Sequence, residues 1–333
     1  METVLVTGGA GFIGYYTTEL LVEKGNRVVC YDAVLPAEEV KWLYDRLRGD
    51  VEFVKGDVSQ LTAVMDVVIR YGVTKIAHIA ALTDTKVLAE VPMQALRVNT
   101  EGSMNMLEIA RLLKLKRVVM LSSVAVYAPK QYEPIDEFHP VLLPNAGPAL
   151  SSYSSSKLAA EAFALHYWNE YDTSCIALRP TGVYGFGMRY PLFIKPMIEN
   201  AIAGQSTAFE SGGDAKRDFV YVRDVAQGVS LALDVEEERL KQRIFNLAHG
   251  GPLRNVFYLA DEVRKFFPDA DISIQAEMSP VDAQIDRSRG VYFIQNTVEQ
   301  LGYRPEYDLE NGIGEYIELQ TAYMKHLNGN NGK

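Results

Sequence analysis

Residues 3–14, TVLVTGGAGFIG, constrain the fold more than any other stretch of the chain. An apolar β-type run, VLV, leads into glycines at 8, 11 and 14, and the amphipathic segment FIGYYTTELLVEKG follows, closing at Gly25. Strand, tight turn and helix start come in the order that a dinucleotide pyrophosphate requires. Gly8 permits the turn, Gly11 lets the backbone approach the phosphates, and Gly14 lets helix and strand pack closely, with the pyrophosphate at the positive helix end. A glycine triplet alone is a common pattern. Here a second strand-like run, RVVCYD, ends at Asp32, eighteen positions after Gly14, where a carboxylate accepts both adenosine ribose hydroxyls. That carboxylate repels a ribose phosphate, and no arginine follows it directly, so the expected cofactor is NAD rather than NADP. The competing reading is a glycine turn with a capping aspartate.

From residue 1 to about 180, short β-rich runs (VLVT, RVVCYD, VEFVKG, KIAHIAA, RVVMLSS, SCIALRP) alternate with helical periodicity. That alternation predicts an α/β fold, a doubly wound parallel sheet with helices on both faces. After Arg179 the pattern becomes irregular and glycine and proline enter, so a smaller substrate-binding lobe is expected over 181–330, beside a nucleotide-binding domain over 1–180. No internal repeat is visible. Net charge is -10 and no cluster of basic residues occurs, so nucleic acid is not an expected partner. No apolar run approaches the ~18 residues of a membrane span, and no signal-type leader precedes the first strand. A soluble cytoplasmic protein is expected. Cys30 and Cys175 lie in apolar runs without metal-ligand spacing, which makes them core residues and leaves no metal site.

The chemistry resides in SSYSSSK at 151–157 and in Ser123, upstream in VVMLSSVAVY. If the run KLAAEAFALHYW is helical, Tyr153 and Lys157 share a face at i and i+4. A phenol of pKa ~10 is a poor base at neutral pH, and an adjacent ammonium favours the phenolate. Such a pair can take the proton of an alcohol while a nicotinamide takes the hydrogen from carbon. His78 reads as a packed core residue, because the Tyr/Lys pair already supplies the base.

With these residues assembled, the chain resembles the extended short-chain dehydrogenase/reductases, specifically the NAD-dependent epimerase/dehydratase family. Beyond TGGAGFIG and YSSSK, the resemblance includes GDVS at 56–59, HIAALTD at 78–84, VNTEGSMNMLE at 98–108, RPTGVYG at 179–185, RDFVYVRDVA at 217–226 and LGYRP at 301–305, in the family's order. It implies that parts of 218–250 return to the nucleotide domain. It assigns Ser123, Tyr153 and Lys157 as catalytic, with Ser122 the competing serine. Around the cofactor it places Gly8, Gly11, Phe12, Ile13, Gly14, Asp32, Asp57, Val58, Ala80, Ala81 and Asn99, together with Tyr153 and Lys157. Ala80 and Ala81 would let the cofactor pass, Asn99 would brace a helix against the active-site strand, and Asp57 is equally readable as a turn residue. Thr83, Ser123 and Arg217 would face the substrate, Arg217 as a phosphate contact with Arg287 or Arg289 as a second.

Two departures from the family sharpen the expectation. Related dehydratases carry acids after the catalytic serine, where this chain has Val124 and Ala125, so dehydration by that route is disfavoured. Sugar-nucleotide epimerases often carry Asn where this chain has Gly182, which has no side chain for a diphosphate. The leading expectation is an NAD-dependent epimerase of a carbohydrate, a nucleotide sugar, working through a transient ketone. The alternatives are a net dehydrogenase or reductase of a smaller hydroxylated compound, and a nucleotide-binding sensor without turnover. A homodimer through helices near 92–112 and 153–171 is the expected assembly.

Overall fold

The computed structural model describes residues 1–127, 129–141, 151–190 and 192–330. Its strands, in chain order, are β1 (Thr3–Thr7), β2 (Arg27–Asp32), β3 (Val51–Lys55), β4 (Lys75–His78), β5 (Arg117–Leu121), β6 (Cys175–Pro180), β7 (Gly182–Tyr184), β8 (Thr207–Phe209), β9 (Phe219–Tyr221), β10 (Ile244–Leu247) and β11 (Ile272–Ile274). Seven form one sheet in the order β10-β6-β5-β4-β1-β2-β3, with every pairing parallel. Parallel strands need long crossovers, and helices such as Phe12–Glu23, Leu61–Tyr71, Gly102–Leu113 and Ser152–Tyr171 supply them on both faces. β1 and β4 are neighbours although β2 and β3 lie between them in sequence. The strand order therefore reverses at β1, and a crevice opens beyond the carboxyl ends of the strands there.

Alternation along β1 feeds two cores. Val4 and Val6 pack with Cys30, Val119, Ile176, Val225 and Phe245 on one face, while Leu5 packs with Val29, Ile76, Met106 and Val118 on the other. Each such side chain, fully buried, contributes about 1.5–3 kcal/mol before chain entropy is charged against it. Both cysteines are free and buried within these cores. The strand from RIFNLAH, β10, takes the edge place beside β6, and the helix Val222–Asp234 packs on the helix Phe12–Glu23.

That first helix differs from the amphipathic reading of its sequence. Its buried residues, Gly14, Tyr15, Tyr16, Thr17, Thr18, Leu21 and Val22, run round much of its circumference. The cause is a third, aromatic core in which Tyr16, Trp42, Tyr184, Phe186, Tyr221, Tyr316 and Tyr323 pack together, so the helix is covered from the sheet and from the later part of the chain at once. That later part carries two small parallel pairs, β7 with β9 and β8 with β11. Among the described residues no helix is long and apolar enough to cross a membrane.

Candidate active site

The glycine turn sits at the mouth of the crevice. Gly8 has φ of +71°, a region that costs a residue with Cβ but not glycine, and its N–H donates to the Tyr31 carbonyl at 2.9 Å. A Cβ on Gly14 would lie 2.0 Å from the Gly8 carbonyl oxygen, and one on Gly8 would lie 2.7 Å from the Ala80 nitrogen. The helix thus presses directly on the turn, and the turn on the end of β4. Gly11 caps the helix without a side-chain hydrogen bond, and its first turn holds no acid. Its leading N–H groups and positive dipole end are left for an anion. Asp32 is half-buried and ends β2. Its Oδ2 accepts from Ala10 N at 3.0 Å and its Oδ1 from Val34 N at 3.2 Å. Burial pushes its pKa above the usual carboxylate value, partly offset by these backbone donors. Uncapped helix donors beside a fixed carboxylate fit an NAD: pyrophosphate on the turn, ribose on Asp32.

The remaining expected cofactor neighbours surround this centre. Phe12 and Ile13 are half-buried in the first helical turn, and Ala81 is half-buried after β4. Ala80 donates to Thr7 Oγ1 at 3.3 Å. Val58 is buried against Gly102, where a Cβ would meet Val58 Cγ2 at 2.7 Å. Asp57 is exposed and accepts from Ser59 N at 2.9 Å, the geometry of a turn residue. Asn99 lies buried in a π-helical turn, Leu96–Glu101. Its Oδ1 accepts from Leu82 N at 2.8 Å, and its Nδ2 donates to Leu82 O and Ser156 Oγ, both at 3.0 Å. Its amide therefore joins the loop after β4 to the active-site helix. Thr83 is exposed on that loop.

The helix Ser152–Tyr171 starts on a capping box in which Ser151 Oγ accepts from Ser154 N at 3.2 Å and Ser154 Oγ accepts from Ser151 N at 2.8 Å. The serine-rich sequence is thus a helix start, and it puts Tyr153 and Lys157 one turn apart. The Tyr153 hydroxyl lies near Ser123, and burial holds its pKa above the ordinary phenol value while Ser123 and the Arg289 charge act in the opposite sense. Lys157 behaves differently from the sequence expectation. Its Nζ lies 5.9 Å from the Tyr153 ring centroid and donates to the Leu121 carbonyl at 2.6 Å. It is 3% exposed, and burial lowers its own pKa to about 8 against the pull of Glu161. One of the three ammonium donors is thus on the open carbonyl at the end of β5, while the charge stays beside the Tyr153 ring; the Arg289 charge also favours the phenolate.

Successive residues after β5 face opposite ways. Ser123 is half-buried, and its Oγ accepts from Ala125 N at 3.1 Å beside Tyr153. Ser122 is buried with its Oγ unpartnered and its N–H on Leu178 O. Arg217 donates from Nη1 to Lys216 O at 2.8 Å and lies 3.5 Å from Asp286 Oδ1. It lines a hollow of about 80 Å³ with Asp218, His249 and Arg254. At Gly182 a Cβ would stand 3.0 Å from the Asp218 carbonyl oxygen, so a side chain at this position requires that carbonyl, just before β9, to give by a few tenths of an ångström. Arg287 is exposed. His78 bonds Thr7 Oγ1 at 2.7 Å and Ser103 Oγ at 3.1 Å, and burial with the nearby Lys157 charge lowers its pKa to about 3; it is a neutral core residue. A larger hollow of about 410 Å³, beside Lys116, Arg117 and Trp168, lies at the opposite end of the sheet from this chemistry. Among the described residues no group of His, Cys, Asp and Glu is arranged to hold a metal.

Three features escaped the sequence reading: the contact of Arg289 with Val124, the buried Tyr292, and Asp218 held by Thr181 Oγ1, His249 N and Gly250 N. Only the first had a signal, an arginine pair in DRSRG whose members could not be told apart.

A glycine turn at the switch point of a parallel sheet, with Tyr153 and Lys157 one helical turn apart, fits an NAD-dependent enzyme of the extended short-chain dehydrogenase/reductase class. The chain belongs to the NAD dependent epimerase/dehydratase family, which its residues 4–248 match. It is 29% identical to the UDP-glucose 4-epimerase of Homo sapiens over 75% of this chain and 78% of that protein. It is 27% identical to UDP-glucuronate 4-epimerase 4 of Arabidopsis thaliana over 96% of this chain and 76% of that one. Its fold is that of the Thermotoga maritima UDP-glucose 4-epimerase crystallised with UDP-glucose, with a TM-score of 0.81 at 22% identity over 97% and 99% of the two chains.

Proposed function

We propose that the chain is an NAD-dependent epimerase of a nucleotide sugar, inverting a secondary alcohol, carbon 4 by analogy with the named relatives. Bound NAD supplies the acceptor, and afterwards the donor, of the hydrogen on carbon. Tyr153 Oη takes the hydroxyl proton and returns it, and Ser123 Oγ holds the sugar oxygen during both transfers. Lys157 fixes the helix against β5 and keeps a positive charge below the site. Asn99 positions the loop that carries Thr83. Arg217 meets the diphosphate.

The observation that best supports the reading is Tyr153 and Lys157 one helical turn apart, with the Lys157 Nζ 5.9 Å from the Tyr153 ring centroid, in a site where Val124 and Ala125 supply no second acid. Such a site can move one proton but cannot expel water by acid catalysis. Incubation with UDP-galactose or UDP-galacturonate is expected to give the 4-epimer with no net build-up of reduced nicotinamide. A panel of nucleotide sugars left unconverted contradicts it. The crowding at Gly182 favours a second reading, a net dehydrogenase of a smaller substrate, which requires stoichiometric appearance of the reduced nicotinamide absorbance. We infer further that the chain is a soluble cytoplasmic homodimer. Met93, Leu96, Leu112, Phe163 and Tyr171, which are 59, 50, 47, 37 and 49% exposed, support pairing through the helices near 92–112 and 153–171.

A further inference from the structure

Arg289 stands at the reacting end of the site without a counter-charge. It is half-buried, its Nη1 donates to the Val124 carbonyl at 3.2 Å, and Val124 directly follows Ser123. Among the described residues it has no ion pair, because the nearby acids are engaged elsewhere. Asp286 faces Arg217, Asp282 accepts from Ser279 in a capping box, and Glu133 is held by Lys130 and Val291 N. Beside Arg289 lies Tyr292, 2% exposed. Its hydroxyl makes no hydrogen bond of regular geometry and faces the same guanidinium.

An uncompensated guanidinium and an orphaned hydroxyl are costly once a ligand expels water. A planar fork of donors matches a carboxylate or a phosphate. A nucleotide sugar can offer either, from its diphosphate or from an acid group on the sugar. Arg217, at the start of β9, serves the diphosphate end. Arg289 is anchored next to Ser123, where the sugar must lie for Tyr153 to reach it, and Val124 and Ala125 place no acid there to repel an anion. We propose that Arg289, with Tyr292, receives a carboxylate on the sugar, so that the substrate is a nucleotide-linked uronate rather than a neutral hexose.

This rests on the epimerase reading for its nucleotide but not for its carboxylate, and binding separates the two. The NAD-loaded protein is titrated with UDP-glucuronate and UDP-galacturonate against UDP-glucose and UDP-galactose, and conversion of all four is followed in parallel. The uronates are expected to bind about 10- to 100-fold tighter than the neutral sugars, the scale of a charge-assisted bidentate contact. Arg289→Gln erases that preference and Arg289→Lys keeps part of it. Retained NAD binding establishes that each variant is folded. Tyr292→Phe, expected to reduce the preference, replaces any variant that is not. Equal binding of the two classes, or a preference for the neutral sugars, overturns the proposal. Equal weakening of both classes by Arg289→Gln also overturns it, since that outcome assigns Arg289 to the diphosphate. A uronate preference that depends on Arg289, with no epimer formed from any of the four, supports the carboxylate site and overturns the epimerase reading instead.

Discussion

In the proposed reaction Tyr153 is the residue on which the chemistry turns, with the Lys157 ammonium 5.9 Å from its ring centroid. Burial raises its pKa, and Ser123 and Arg289 pull it back. Tyr153→Phe should lower kcat by about 10²–10⁴, the range for loss of a positioned acid–base group, with NAD binding intact by fluorescence titration. Ser123→Ala removes a neighbour that lowers the phenol's pKa, so the rising limb of kcat/KM with pH should move to higher pH. Ser122→Ala should leave that limb in place; the reverse pattern would exchange the two serines. His78 gives a pH dependence of stability rather than of rate. Its pKa is about 3 when folded, against 6.5 for the free side chain, so the unfolded chain binds the extra proton below 6.5. Stability is therefore whole above that pH and falls as pH drops toward 3, by at most about 1.4 kcal/mol per pH unit. Urea unfolding of His78→Gln across the upper part of that window, above the range of the carboxylates, should show a flatter dependence on pH than the parent chain.

The turn between β1 and the helix Phe12–Glu23 is the element proposed to position the cofactor, and Gly14 tests it. With Gly8 O only 2.0 Å from a built Cβ, Gly14→Ala must push the helix off the turn. The expected cost is about 1–3 kcal/mol of overpacking, read in urea unfolding, together with weaker NAD binding. An unchanged NAD affinity would dissociate the glycine contact from the cofactor site. This element was legible in sequence because its requirement is local: a backbone with φ of +71° at Gly8 and no room for Cβ leaves a glycine signature. So was the seven-strand parallel sheet, whose strands are short apolar runs spaced by helices. The partner of Lys157 was not legible, because i and i+4 spacing fixes which face two residues share but not which carbonyl a long flexible side chain reaches. Nor were the contacts of Arg289 and Tyr292 with Val124, which Arg289 reaches from 165 residues away, although Arg289 was a candidate phosphate contact. Nothing in local periodicity records such a contact. The serine run was visible as composition, but its capping box became plain only once the helix start was located.

At the scale of the molecule, early and late parts of the chain share one aromatic core, which reaches from the helix Phe12–Glu23 to the helix Leu309–Asn330. Binding of NAD should therefore raise the thermal midpoint of the whole chain in one transition, by mass action on the folded state. Light scattering should give twice the mass of 37.1 kDa. Leu96→Asp with Phe163→Asp should shift it to the single chain, whereas a monomeric parent would remove the proposed helix contact. Association and chemistry are separable, because neither residue touches Ser123, Tyr153 or the glycine turn. The most direct test of the account is carbon-4 epimerisation itself, followed by NMR on UDP-galacturonate and UDP-galactose with the parent chain and Tyr153→Phe in parallel. Interconversion by the parent, without accumulating reduced nicotinamide, and its loss in Tyr153→Phe is the predicted result. Interconversion that persists in Tyr153→Phe would contradict it.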